Sequence, residues 1–154
     1  MSDVEKKPRS PDWLPTWELI ALALGDLIVF VAFAAIGRAR HNLTAPEGDI
    51  LATINTAMPF TVAWLVVGAA TGAFHGKALY PLTRVLWRTF RAAVIAGPLG
   101  VVLRAALLAG PELRRFPIIP TSFLLVATGV TTLLLILWRV LWSRVRRLWW
   151  PELP

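Results

Sequence analysis

The sequence predicts an all-α fold: a polytopic membrane protein built as a four-transmembrane-helix bundle, with both termini cytoplasmic. Three observations predict it: an apolar composition, two long windows without charge, and a lopsided distribution of Lys and Arg. Hydrophobic residues make up 56% of the 154 residues and charged residues only 16%, whereas a water-soluble domain carries about 25% charged residues. Ile50 to Phe74 and Phe116 to Trp138 contain no charged residue. Each exceeds the ~20 residues a helix needs to cross a ~30 Å hydrocarbon core. A soluble fold of 17.0 kDa would have to bury both at once. The mean hydropathy of +0.63 also excludes disorder.

A cytoplasmic tail over residues 1–16 leads into the first span, residues 17–37, which carries Asp26 near its centre. Ala32-Phe33-Ala34 has the look of a signal-peptide cleavage site. The lead-in to Glu18 is long and of mixed charge, however, and Asp26 would fall inside the apolar run, so a retained helix is expected. The second span covers residues 50–74, with a kink expected at Pro59. Gly68, Gly72 and Gly76 repeat every fourth residue, the spacing of a helix-packing face that admits a close neighbour. Leu79 to Arg91 reads as a surface-lying helix that leads into the third span, residues 88–110. Gly97-Pro98-Leu99-Gly100 is expected to bend that span, and Arg104 interrupts its apolar run. Pro117 and Pro120 open the fourth span, residues 117–142, where a missing N–H costs nothing. Residues 143–154 form a basic, aromatic cytoplasmic tail.

Lys6, Lys7, Arg9, Lys77, Arg84, Arg88, Arg91, Arg139, Arg144, Arg146 and Arg147 fall on one side of this scheme. Only Arg38, Arg40, Arg114 and Arg115 fall on the other. The excess places both termini in the cytoplasm. Trp13, Trp17, Trp87, Trp138, Trp142, Trp149 and Trp150 gather at the same side, at headgroup level.

Asp26 is the residue most in need of an explanation, since a carboxylate at the bilayer centre costs ~2.5–3.5 kcal/mol even on insertion scales. Arg104, within reach by snorkelling, is the expected partner in an intramembrane ion pair. Such a pair fixes helix register or serves as a proton or ion site. Arg38, Arg40, His41, Asn55 and Thr56 form an outer polar cluster, an interfacial rim or a shallow pocket attractive to an anionic headgroup or substrate. Arg84, Arg88, Arg91, Arg144, Arg146 and Arg147, interleaved with aromatic residues, are expected to contact anionic lipid at the cytoplasmic face rather than nucleic acid.

With no cysteine, disulfides, thiolate metal sites and thiol nucleophiles are excluded. His41 and His75 lie at opposite ends of the first two spans, ~30 Å apart, so they cannot ligate one haem within a chain. No paired-carboxylate window, zinc motif, phosphate loop or serine elbow is present. Neither cofactor nor metal is expected, and no enzymatic activity.

One set of residues is similar to a known family: Gly25-Asp26, Phe33, Gly37-Arg38 and His41, then Pro59-Phe60, Trp64 and Gly68, then Pro98-Leu99-Gly100 with Arg104, then Phe123 and Trp138-Arg139. Over about Leu19 to Trp142 the chain resembles small bacterial and archaeal membrane proteins that share a domain of unknown function. The resemblance implies a compact four-helix membrane domain, marks Asp26, Arg38, His41 and Arg104, and supplies no substrate. The expected role is a small, non-enzymatic inner-membrane subunit or accessory factor that packs with a membrane-protein partner or a second copy. The rival is a small transporter or ion- or proton-coupled carrier using Asp26 and Arg104. A lipid-modifying enzyme ranks last.

Overall fold

A computed structural model describes residues 14–41, 48–75, 81–109 and 119–149. Its four helices are α1 (Thr16–Arg40), α2 (Asp49–Thr71), α3 (Leu82–Ala109) and α4 (Thr121–Trp149). Each is long and apolar enough to cross a membrane. Several residues weighed above lie outside the described residues: Lys6, Lys7, Arg9, Trp13, Gly76, Lys77, Arg114, Arg115, Pro117 and Trp150.

The helices form a ring in chain order, in which α1 touches α2 and α4, and α3 touches α2 and α4. Among the described residues the diagonal pairs, α1 with α3 and α2 with α4, do not meet. Neighbours run antiparallel, as the register of contacts requires. Asp26 meets Trp64 while Arg38 meets Asp49. Phe60 faces Gly100 while Gly72 faces Arg88. Glu18 pairs with Arg146 while Asp26 pairs with Arg139.

The bundle has an apolar core that includes Phe30, Phe60, Trp64 and Leu135, but unlike a soluble bundle it is apolar outside as well. Ile28, Ile50, Val66, Leu108, Leu125 and Leu148 are exposed. Glu18, Asp26, Thr89, Thr131, Thr132, Arg139, Ser143 and Arg146 are buried. An apolar exterior with the few polar groups turned inward suits hydrocarbon rather than water. Association in lipid rests on close packing rather than the hydrophobic effect, and the crossings are correspondingly small. A Cβ on Gly100 would lie 3.0 Å from the Phe60 backbone, and one on Gly97 2.7 Å from Thr128 Oγ1. At Gly25 a Cβ would collide with the Trp138 indole.

The helix limits depart from the expected spans in three places. First, α2 stops at Thr71 because Gly72 adopts φ +74° and closes a Schellman turn. There the Ala73 N–H bonds Gly68 O at 2.8 Å and the Gly72 N–H bonds Ala69 O at 3.3 Å. Second, α3 begins at Leu82 and runs unbroken through Pro98, so the segment read as a surface-lying helix supplies its first turns. Third, α4 starts after Pro120 and continues to Trp149, carrying most of the basic stretch beyond residue 142 as helix.

Candidate functional site: an ion pair enclosed by aromatic rings

Asp26 lies ten residues into α1, about 15 Å along the helix axis at ~1.5 Å per residue. Its side chain is fully buried, and its partner is Arg139 of α4. Arg139 Nη2 donates to Asp26 Oδ2 at 2.6 Å, and Trp64 Nε1 of α2 donates to the same oxygen at 2.8 Å. One carboxylate thus joins three helices. This corrects the expected pairing with Arg104. That residue sits on α3, diagonally across the ring from α1, where the backbones do not approach.

Two rings complete the enclosure. The Arg139 guanidinium carbon lies 5.6 Å from the Trp64 ring centroid and 5.0 Å from that of Phe74. Trp64 and Phe74 meet edge to face at 6.2 Å. Cations over aromatic faces gain ~2 kcal/mol or more when desolvated, which partly replaces the hydration that Arg139 forgoes. Phe74 reaches this position because Gly72 turns the chain back and Gly68 leaves room for the ring; a Cβ on Gly68 would lie 2.8 Å from Phe74 Cε2. Gly68 and Gly72 therefore build a hook at the end of α2, while Gly76 lies outside the described residues. The hook is not the helix-packing face expected, since Gly72 has already left the helix and Gly68 is covered from within the chain. Arg88 secures the hook by donating from Nη1 to the Gly72 carbonyl at 3.2 Å.

A second rung lies two turns nearer the end of the bundle. Arg146 Nε stands 2.7 Å from Glu18 Oε1, both side chains buried. Trp142 Nε1 donates to the same oxygen at 3.3 Å. Between the rungs Leu22 is wholly buried, and Trp138 lies over Gly25. The α1–α4 seam is thus a ladder of two ion pairs with an apolar filling.

This ladder revises the charge assignments. Arg146, expected at the lipid headgroups, is buried against Glu18, and Arg139 is likewise withdrawn from the surface. Arg88 is half-buried at the α2 hook. Arg84, Arg91, Arg144 and Arg147 are exposed. Trp138 and Trp142 belong to the seam, whereas Trp17 and Trp87 are exposed.

The outer polar cluster is not drawn into one pocket. Arg38 Nη2 pairs with Asp49 Oδ1 at 3.5 Å. Thr56 Oγ1 donates to Ala52 O of its own helix at 2.8 Å. Arg40, His41 and Asn55 are exposed. Arg104 instead borders a cavity of about 140 Å³ at the α3–α4 seam, with Val101, Ala105, Leu108, Ile119, Pro120 and Phe123. Among the described residues no three His, Cys, Asp or Glu side chains gather where they could hold a metal ion.

Sequence reasoning missed Glu18, Trp64 and Trp142 as polar partners and misplaced Arg139. The signal was present: Glu18 and Asp26 in the first helix, and Arg139 and Arg146 in the last, are both spaced by about two helical turns. Antiparallel neighbours with that spacing align opposite charges.

The fold and site together define a multi-pass membrane protein of four helices locked by charges in its interior. The chain belongs to the DUF3054 family of proteins of unknown function, whose model matches residues 23–142. Asp26, Trp64, Phe74 and Arg139 fall within that match, while Glu18 and Arg146 fall outside it. Searches of curated proteins and of solved structures return no match.

Proposed function

We propose that this chain is a small, non-enzymatic subunit or accessory protein of a prokaryotic inner membrane, with both termini in the cytoplasm, that packs against a partner's helices or a second copy. The observation that carries the reading is the mutual neutralisation of the deepest charges. Asp26 and Arg139 bind each other at 2.6 Å under two aromatic rings, an arrangement suited to fixing three helices in one register. A buried pair of this kind serves specificity of packing rather than net stability.

Orientation is supported by the count of basic residues that are not taken up in the two interior ion pairs. With Arg139 and Arg146 neutralised within the bundle, Lys6, Lys7, Arg9, Lys77, Arg84, Arg88, Arg91, Arg144 and Arg147 still outnumber Arg38, Arg40, Arg114 and Arg115 on the other side. The exposed basic residues of the cytoplasmic ends, Arg84, Arg91, Arg144 and Arg147, suit anionic headgroups. Among the described residues each helix contacts its two neighbours in the ring and no other helix, which leaves an outer face on every helix for a partner. Gly129 of α4 is exposed, with open space where a Cβ would stand. Purification from native membranes in mild detergent tests the proposal. Co-elution with another integral membrane protein, or as a defined oligomer, is expected, and a clean monomer contradicts it.

A second reading, a proton- or ion-coupled carrier, is favoured by one observation. Asp26 Oδ1 and Arg139 Nε and Nη1 are buried without a hydrogen-bond partner among the described residues, so the pair keeps polar capacity in reserve. That reading requires a proton- or ion-dependent flux in proteoliposomes that Asp26→Asn abolishes while the fold survives.

A further inference from the structure

The half-buried Arg104 borders a cavity at the α3–α4 seam. Val101, Arg104, Ala105 and Leu108 recur along one stripe of α3, and Ile119, Pro120 and Phe123 face them from the start of α4. Together they border the cavity of about 140 Å³. Val101 and Ala105 form its buried floor, while Leu108 and Phe123 are exposed at its rim. Arg104 stands five residues before the end of α3, about 7–8 Å below that end at the helical rise. An arginine stem is long enough to span that depth by snorkelling. At the same end of the bundle Arg38 pairs with Asp49 at 3.5 Å.

We propose that the Arg104 cavity binds an anionic phospholipid, with the lipid phosphate on the guanidinium and the first acyl methylenes in the apolar recess. The chemistry recognised is a phosphate oxyanion, for which arginine supplies a planar fork of N–H donors. A lipid suits the walls better than free phosphate does. Apart from Arg104 the lining is Val, Ala, Leu, Ile, Pro and Phe, which replaces none of the hydration a free ion would lose yet matches an acyl chain. The inference does not rest on the subunit reading above, since it concerns the other end of the bundle and requires no protein partner.

The test uses the full chain in a neutral detergent, with native mass spectrometry and thermal unfolding as readouts. The probes are phosphatidylglycerol, phosphatidylcholine and inorganic phosphate. Retained phosphatidylglycerol and a rise in melting temperature with its concentration are expected, with a weaker response to phosphatidylcholine and none to inorganic phosphate. Arg104→Gln is expected to weaken phosphatidylglycerol binding at least about tenfold, equivalent to ~1.4 kcal/mol, and Arg104→Lys to retain part of it. Should Arg104→Gln fail to fold, Leu108→Glu places a negative charge at the exposed rim and is expected to cause the same loss. Unchanged phosphatidylglycerol binding in Arg104→Gln or in Leu108→Glu overturns the proposal, and so does competition by inorganic phosphate at equal concentration. Loss of co-purifying protein with lipid binding intact would count against the subunit reading alone.

Discussion

The Phe74 ring centroid lies 5.0 Å from the guanidinium carbon of Arg139, although Phe74 follows the end of α2 and Arg139 lies well inside α4. The contact exists because the chain reverses at Gly72 and lays Phe74 over Gly68. The end of one helix thereby closes the environment of an ion pair held between two others. The enclosure makes the pair dry, and dryness makes it costly to break.

Removing one partner leaves the other as an uncompensated charge in a low-dielectric site. Asp26→Ala is expected to lower stability by about 3–5 kcal/mol, read as a fall in melting temperature in detergent micelles. Replacing both residues by apolar ones, as in Asp26→Leu with Arg139→Met, is expected to recover most of the loss. A double variant as unstable as the single one contradicts the assignment.

Trp64→Phe keeps an aromatic ring near Arg139 but removes the N–H that donates to Asp26 Oδ2 at 2.8 Å. Hydrogen bonds to charged groups contribute about 1.5–3 kcal/mol, and a loss of that size is expected in the same unfolding assay. A neutral substitution would mean that Arg139 alone satisfies the carboxylate.

Gly72→Ala forces a Cβ into the left-handed region, at a cost of ~1–2 kcal/mol, and loosens the turn that places Phe74. The expected outcome is a lower melting temperature with the oligomeric state unchanged in light scattering. A change of oligomeric state without loss of stability would return Gly72 to a helix-packing face.

Sidedness is open to direct labelling, because the chain has no cysteine and every introduced thiol is unique. Ala39 and Arg144 are exposed at opposite ends of the bundle. With both termini cytoplasmic, a membrane-impermeant maleimide added outside is expected to label Ala39→Cys in intact cells, and Arg144→Cys only after permeabilisation. The reverse pattern contradicts the orientation.

The spans were legible in the sequence because lipid imposes a length and a polarity that few other environments impose. The site was only half legible. Asp26 stood out by its cost, but its partner depended on which helices are neighbours, a property of ring order that no single span encodes. Arg104 lay outward of Asp26 by an offset an arginine stem can cover, and the pairing failed on adjacency. The glycine repeat was ambiguous for a different reason, since a period of four residues suits a packing face and the end of a helix alike. Phe74, two residues past Gly72, marked the second meaning. Arg146 read as a headgroup charge because arginines clustered with tryptophans near a helix end ordinarily serve that way, while Arg139 entered only the count of basic residues on that side.

A pair of double-mutant cycles in detergent, Asp26 with Arg139 and Asp26 with Arg104, addresses the interior lock most directly. The measured quantity is the coupling in unfolding free energy. A coupling of at least ~2 kcal/mol is expected for Asp26 with Arg139, above the ~0–1 kcal/mol typical of a surface pair, and none within error for Asp26 with Arg104. Coupling to Arg104 in place of Arg139 would contradict the ring order, the enclosed pair and the account built on them.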